Sequence, residues 1–152
     1  MARSSHRALS YTDSFANSSA DALMLVGRIL VGFLFLTSGW SKLINTAGAI
    51  SYLTSVKAPA PELVVWVVLV VELVVGITLI LGLATRYGAL LGFVFVVIAT
   101  ALAHRYWEYP AAAQAAQYIN FTKNVAILGG LLYVFVAGAG RFSVDATLAK
   151  AR

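Results

Sequence analysis

Four apolar stretches, each about as long as a bilayer's hydrocarbon core is thick, leave this chain few folds to choose from. They run from about Ala22 to Leu43, Glu62 to Leu83, Gly88 to Trp107 and Phe121 to Gly140. About 20 residues rising 1.5 Å each cross a core roughly 30 Å deep. None of the four contains proline. The pattern predicts an all-α fold: an integral membrane bundle of four transmembrane helices with both termini on one side. Composition agrees, because only 11% of residues are charged and 61% are hydrophobic, whereas a soluble domain carries about a quarter charged. Disorder is excluded by the same hydrophobicity.

The net charge of +5 does not point to nucleic acid. Its lysines and arginines stand singly among apolar runs, with no basic stripe or aromatic platform. In a membrane protein such charges set orientation. Arg3, Arg7, Arg86, Arg141, Lys150 and Arg152 fall on the side of the termini, against Lys42, Lys57, Arg105 and Lys123 opposite. The excess places both termini in the cytoplasm of a protein of the cell membrane. Residues 1–20 read as a mobile polar tail, 21–145 as the membrane domain and 146–152 as a short basic tail. Ser18 or Ser19 is placed to cap the first helix, with Asp21 in its first turn. A mildly amphipathic piece, Ala47–Val56, and then Pro59 and Pro61 separate the first two helices. Thr85–Tyr87 forms a tight second connection. Tyr106, Trp107, Tyr109 and Tyr118 suit the headgroup layer of the third.

Polar groups inside apolar blocks are the candidates for function. A charge at mid-bilayer costs about 2.5–3.5 kcal/mol on insertion scales, so it persists when paired or turned inward. Glu72 lies about 15 Å into the second helix. Arg28, Gly32, Phe35, Gly39 and Lys42 share one face of the first helix at 100° per residue. Taking antiparallel helices with level ends, Arg28 and Glu72 make a buried ion pair, either a structural clamp or a proton or ligand site. Toward the opposite surface, Trp40, Lys42, His104, Asn120 and Lys123 form a candidate ligand pocket for an anion, a quinone headgroup or a small oxygenated ligand. Snorkelling of the lysines and arginines near the helix ends to the interface is the alternative, and it is the reading for Arg105.

Several chemistries find no footing in the residues. Cysteine is absent, so the chain performs no thiol–disulfide exchange and binds no metal through thiolate. No His, Asp and Glu cluster has metal-ligand spacing, and His104 is the single intramembrane histidine, where a membrane haem often takes a pair. No serine or threonine is accompanied by a positioned base.

The order of these groups resembles the DoxX family. The similarity runs from about Ala22 to Asp145. It is carried by the segment Arg28 to Leu43 with Gly32, Gly39 and Lys42, by Pro59 and Pro61, and by Glu72 and Gly76 running to Thr85 and Arg86. His104, Asn120, Lys123, Asn124 and the closing Gly138–Asp145 complete it. The resemblance implies a small four-helix membrane protein with no enzymatic activity common to all members. Proteins similar to it serve as membrane subunits of thiosulfate:quinone oxidoreductase, and others associate with oxidative-stress and thiol-defence enzymes. The family-like polar positions are Arg28, Lys42, Glu72, Arg86, His104, Asn120 and Lys123. Two functions are then open. One is an accessory subunit of a membrane redox complex with a bound quinone or a sulfur oxyanion near Lys42, His104 and Lys123. The other is a non-redox assembly module or small-solute carrier using Glu72 and Arg28.

Overall fold

The computed structural model describes residues 11–151. The expectations for Arg3, Arg7 and Arg152 fall outside that range. Seven helices follow in order: α1 (Tyr11–Ser18), α2 (Ala20–Ile44), α3 (Thr46–Ser55), α4 (Pro61–Leu81), α5 (Thr85–Ala103), α6 (Ala111–Ala137) and α7 (Val144–Lys150), with a 3-10 turn at Tyr106–Glu108. Four of them, α2, α4, α5 and α6, are long and apolar enough to cross a membrane. Both ends of the described chain therefore lie on one side of the bundle.

Side-chain placement follows the solvent. Leu30, Phe33, Val67 and Val136 are each more than half exposed, and in this fold their surroundings are acyl chains. The interior is built from Phe35, Val75, Leu79, Ala89, Val96 and Leu131, with Phe35 and Phe95 edge to face at 6.4 Å. α2 and α4 approach closely through glycine. A methyl group on Gly76 would lie 2.8 Å from the Leu36 backbone nitrogen, and one on Gly32 2.9 Å from the Gly76 carbonyl. Small residues allow such contact where no hydrophobic effect drives helices together.

Several boundaries differ from the sequence reading, each for a local reason. Part of the expected tail, Tyr11–Ser18, is helical. Neither serine caps α2: Ser19 makes no side-chain cap bond, and the Ser18 hydroxyl donates to Phe15 O. The tight turn is Gly82–Ala84, not Thr85–Tyr87, with Gly82 and Ala84 left-handed. Glycine adopts that conformation without steric cost. α6 starts ten residues earlier than hydropathy suggests, because Ala111–Asn120 is rich in alanine and glutamine, good helix formers but weakly apolar. The amphipathic piece forms α3, whose first turn is fixed by the Asn45 side chain accepting from Gly48 N. Most of the expected C-terminal tail, up to Lys150, belongs to the helix α7, capped by Ser143 Oγ accepting from Ala146 N.

Candidate functional site

Two polar clusters sit inside the bundle, toward opposite ends. Register between α2 and α4 decides their membership. Gly39 is level with Glu72, since a methyl group on Gly39 would lie 3.3 Å from Glu72 Cβ. From that level α2 runs five more residues to Ile44, whereas α4 runs eleven back to Pro61. The helix ends are therefore offset by about 9 Å.

That offset overturns the expected Arg28–Glu72 pair. Lys42 is the partner of Glu72: Nζ lies 2.9 Å from each carboxylate oxygen. The Ser38 hydroxyl donates to Glu72 Oε1 at 3.0 Å and accepts from Lys42 Nζ at 2.9 Å. Glu72 is 5% exposed, so its charge is desolvated and requires this ring of donors. The aliphatic stem of Lys42 carries its ammonium toward Glu72 and not out to the interface.

Arg28, 1% exposed, lies about three turns nearer the termini, eleven residues before Gly39 on α2. Its Nη1 donates to Leu79 O at 2.9 Å and its Nη2 to Phe142 O at 2.6 Å. Gly82 leaves room for the guanidinium, which any side chain there would overlap. The C-terminal segment closes over this group. Asp145 accepts from Ala84 N, Thr85 N and the Thr85 hydroxyl at 2.7–3.0 Å, capping α5, while its own N–H donates to Gly82 O. Burial works against the Asp145 carboxylate, but these donors and the nearby Arg28 hold its pKa below the ordinary value. Arg141 N donates to Asp21, and Arg86 reaches Val136 O at 3.3 Å. This cluster is sealed.

The Lys42–Glu72 cluster is open. It forms part of the wall of a cavity of about 600 Å³ between α2, α4 and α5, roofed by α3 and bounded by α6. The surface is nearly all hydrocarbon, from residues such as Val67, Val68, Val94 and Ile98. Polar atoms enter from two walls: Ser38, Lys42 and Glu72 on α2 and α4, and His104 just past the end of α5 with Asn124 on α6. The Lys42 side chain keeps 23% of its surface open. His104 Nδ1 is 2.9 Å from Gln117 Oε1, and Asn124 donates to the Thr100 hydroxyl at 2.8 Å.

Of the expected pocket residues, the structure brings Lys42 and His104 to one cavity. Trp40 is 58% exposed on the outer surface of α2. Lys123 is exposed and Asn120 half-buried, and neither borders the cavity. The pocket therefore loses Trp40, Asn120 and Lys123 and gains Ser38, Tyr52, Glu72 and Asn124. Asn124 follows Asn120 by one helical turn, and its place in an apolar block was the available signal. Among the described residues no three of His, Asp and Glu are close enough to hold a metal ion.

Comparison with known proteins gives a consistent picture. The family model described as DoxX matches residues 23–105. The Escherichia coli inner membrane protein YphA is 36% identical over 124 residues, 81% of this chain and 88% of its own length. YqjF, a second inner membrane protein of E. coli, is 32% identical over 130 residues, 86% of this chain and 95% of its own. The ER-derived vesicles protein ERV29 of Saccharomyces cerevisiae is 24% identical over 123 residues, 81% of this chain but 33% of the yeast protein. No solved structure matches.

Proposed function

The chain belongs to the DoxX family and is a multi-pass integral protein of the cell membrane; from that premise we propose that it is an accessory subunit of a membrane redox complex, holding a quinone-type lipid for a partner that performs the oxidation. The observation that carries this reading is the cavity. Its volume falls within the range of small-molecule sites, roughly 300–1,000 Å³, which combine apolar walls with a few placed polar groups. A prenyl or alkyl tail fits against Val67, Val68 and Ile98, and a ring carbonyl fits the Lys42 ammonium. Glu72 and Ser38 hold that ammonium in place. With no cysteine in the chain, any thiol or sulfur chemistry belongs to the partner or the substrate.

The test is purification in mild detergent, followed by mass spectrometry of lipids and of co-migrating proteins. A quinone at near-stoichiometric amount, together with a dehydrogenase-type partner, is the expected result. Val68→Trp, which fills the apolar part of the cavity, should release the quinone while leaving the fold intact. A bundle recovered with phospholipid alone and no partner would overturn the proposal and leave a non-redox membrane module.

A further inference from the structure

The two polar walls of the cavity differ in hydrogen-bonding character. On α2 and α4, Lys42 presents a donor, its ammonium having no acceptor capacity, while both Glu72 oxygens lie against that ammonium. On the facing wall, His104 is held by Gln117, whose Oε1 can only accept. Nδ1 of His104 must therefore carry the proton. In the neutral ring the proton on Nδ1 leaves Nε2 as an acceptor. Among the described residues Nε2 has no hydrogen-bond partner, and it is the one polar atom His104 can still offer to an occupant of the cavity. Asn124, the other polar group on that wall, spends an amide hydrogen on Thr100.

We propose that His104 determines which form of the ligand's head the site prefers: with Gln117 as its positioning residue, it accepts a hydrogen bond from a ring hydroxyl, so that a hydroquinone binds more tightly than the corresponding quinone. A quinone has two carbonyl acceptors and satisfies only the lysine wall. A hydroquinone turns a hydroxyl oxygen to Lys42 and a hydroxyl proton to His104. An acceptor that a bound ring shuts off from water and leaves unpaired disfavours the form that lacks the proton. This inference rests on the cavity being the quinone-type site proposed above. No electron transfer is implied, since it concerns binding alone.

The experiment measures binding of a short-chain alkyl hydroquinone and of the matching quinone to the full-length protein in detergent, the former under anaerobic conditions. Wild type should favour the hydroquinone by roughly three- to tenfold, the worth of one hydrogen bond. His104→Phe should abolish that ratio while quinone affinity stays within about twofold. His104→Gln, whose side-chain oxygen can fall near the position of Nε2, should restore part of it. Gln117→Leu should shrink the ratio by freeing the imidazole tautomer. These contrasts are internal to each variant, so a purely structural role for His104 would not produce them. Equal affinity of the wild type for both forms, or an unchanged ratio in His104→Phe, would overturn the role of His104 and leave the cavity reading standing. Saturable binding of neither form would remove both.

Discussion

The Arg28 and Glu72 clusters share a problem and solve it differently. Each holds an ionised side chain almost fully buried within a lipid-embedded bundle. Arg28 is held through both terminal nitrogens by backbone carbonyls, with its Nε buried and unpartnered, and shut in by the C-terminal segment, with Asp145 nearby. Glu72 is satisfied by side chains, Lys42 and Ser38, that face a cavity. The Leu79 carbonyl cannot move without disturbing α4, whereas a lysine on a flexible stem can exchange partners. The first arrangement is built to stay, the second to respond to an occupant.

Removing the guanidinium should have the largest effect. Arg28→Met strands the carbonyls of Leu79 and Phe142 and withdraws the positive charge near Asp145. Hydrogen bonds to charged groups are worth about 1.5–3 kcal/mol each, so a loss of about 3–5 kcal/mol is expected in unfolding experiments in detergent. Cleavage by protease within residues 138–151 should rise in parallel. A loss below about 1 kcal/mol would mean that the sealed cluster does not hold the C-terminal segment.

Register can be broken next. Gly76→Ala pushes a methyl group against the backbone of α2 and should cost about 1–3 kcal/mol. Both clusters should feel it, because Gly76 lies between Glu72 and Leu79 on α4. Gly129→Ala is the matched control, since a methyl group there meets nothing within 4 Å. Its stability should change by no more than about 0.5 kcal/mol. Equal losses in both variants would show that close approach of α2 and α4 is not what sets the register.

A double-mutant cycle then tests the membership of the two clusters. Lys42 and Glu72 should couple by about 1–2 kcal/mol, whereas Arg28 and Glu72 should be additive to within about 0.5 kcal/mol. Coupling of Arg28 with Glu72 would restore the pairing that the sequence suggests and refute the observed register.

That pairing marks where sequence reasoning stops. Length and hydropathy locate all four spans, since each span's own residues determine whether it can lie among acyl chains. The shared face of Arg28, Gly32, Phe35, Gly39 and Lys42 is likewise legible from helical periodicity, and it points inward as expected apart from Lys42, which remains partly open. The vertical offset between α2 and α4 is not written in either helix. It arises from Gly32 and Gly39 settling against Gly76, Ile80 and Leu73, a pairwise fit that no single segment reveals. Ends taken as level gave Glu72 the wrong cation. Asp145 was missed for a related reason: a carboxylate just past the last apolar block looks solvated until the chain folds back to cap α5.

Asp145 gives the smallest effect and the one most easily separated from packing. Its pKa is depressed in the folded protein: burial opposes ionisation, but the N–H groups of Thr85 and Ala84, the Thr85 hydroxyl and Arg28 outweigh it. A group with a depressed folded value stabilises fully above its unfolded pKa of about 3.9 and loses that contribution as pH falls through the folded value. Asp145→Asn keeps an acceptor for the cap and removes the charge. At neutral pH it should cost about 0.3–1 kcal/mol, the usual scale for a carboxylate at a helix N-terminus. The gap in Tm between wild type and this variant should be constant from pH 7 to about pH 5 and close as pH falls below about 4. Glu72→Gln, by contrast, should also alter ligand retention, because its partner faces the cavity. A Tm gap for Asp145→Asn that persists unchanged into acid would mean that the capping carboxylate works through shape alone, and the sealed cluster would then owe nothing to the charge opposite Arg28.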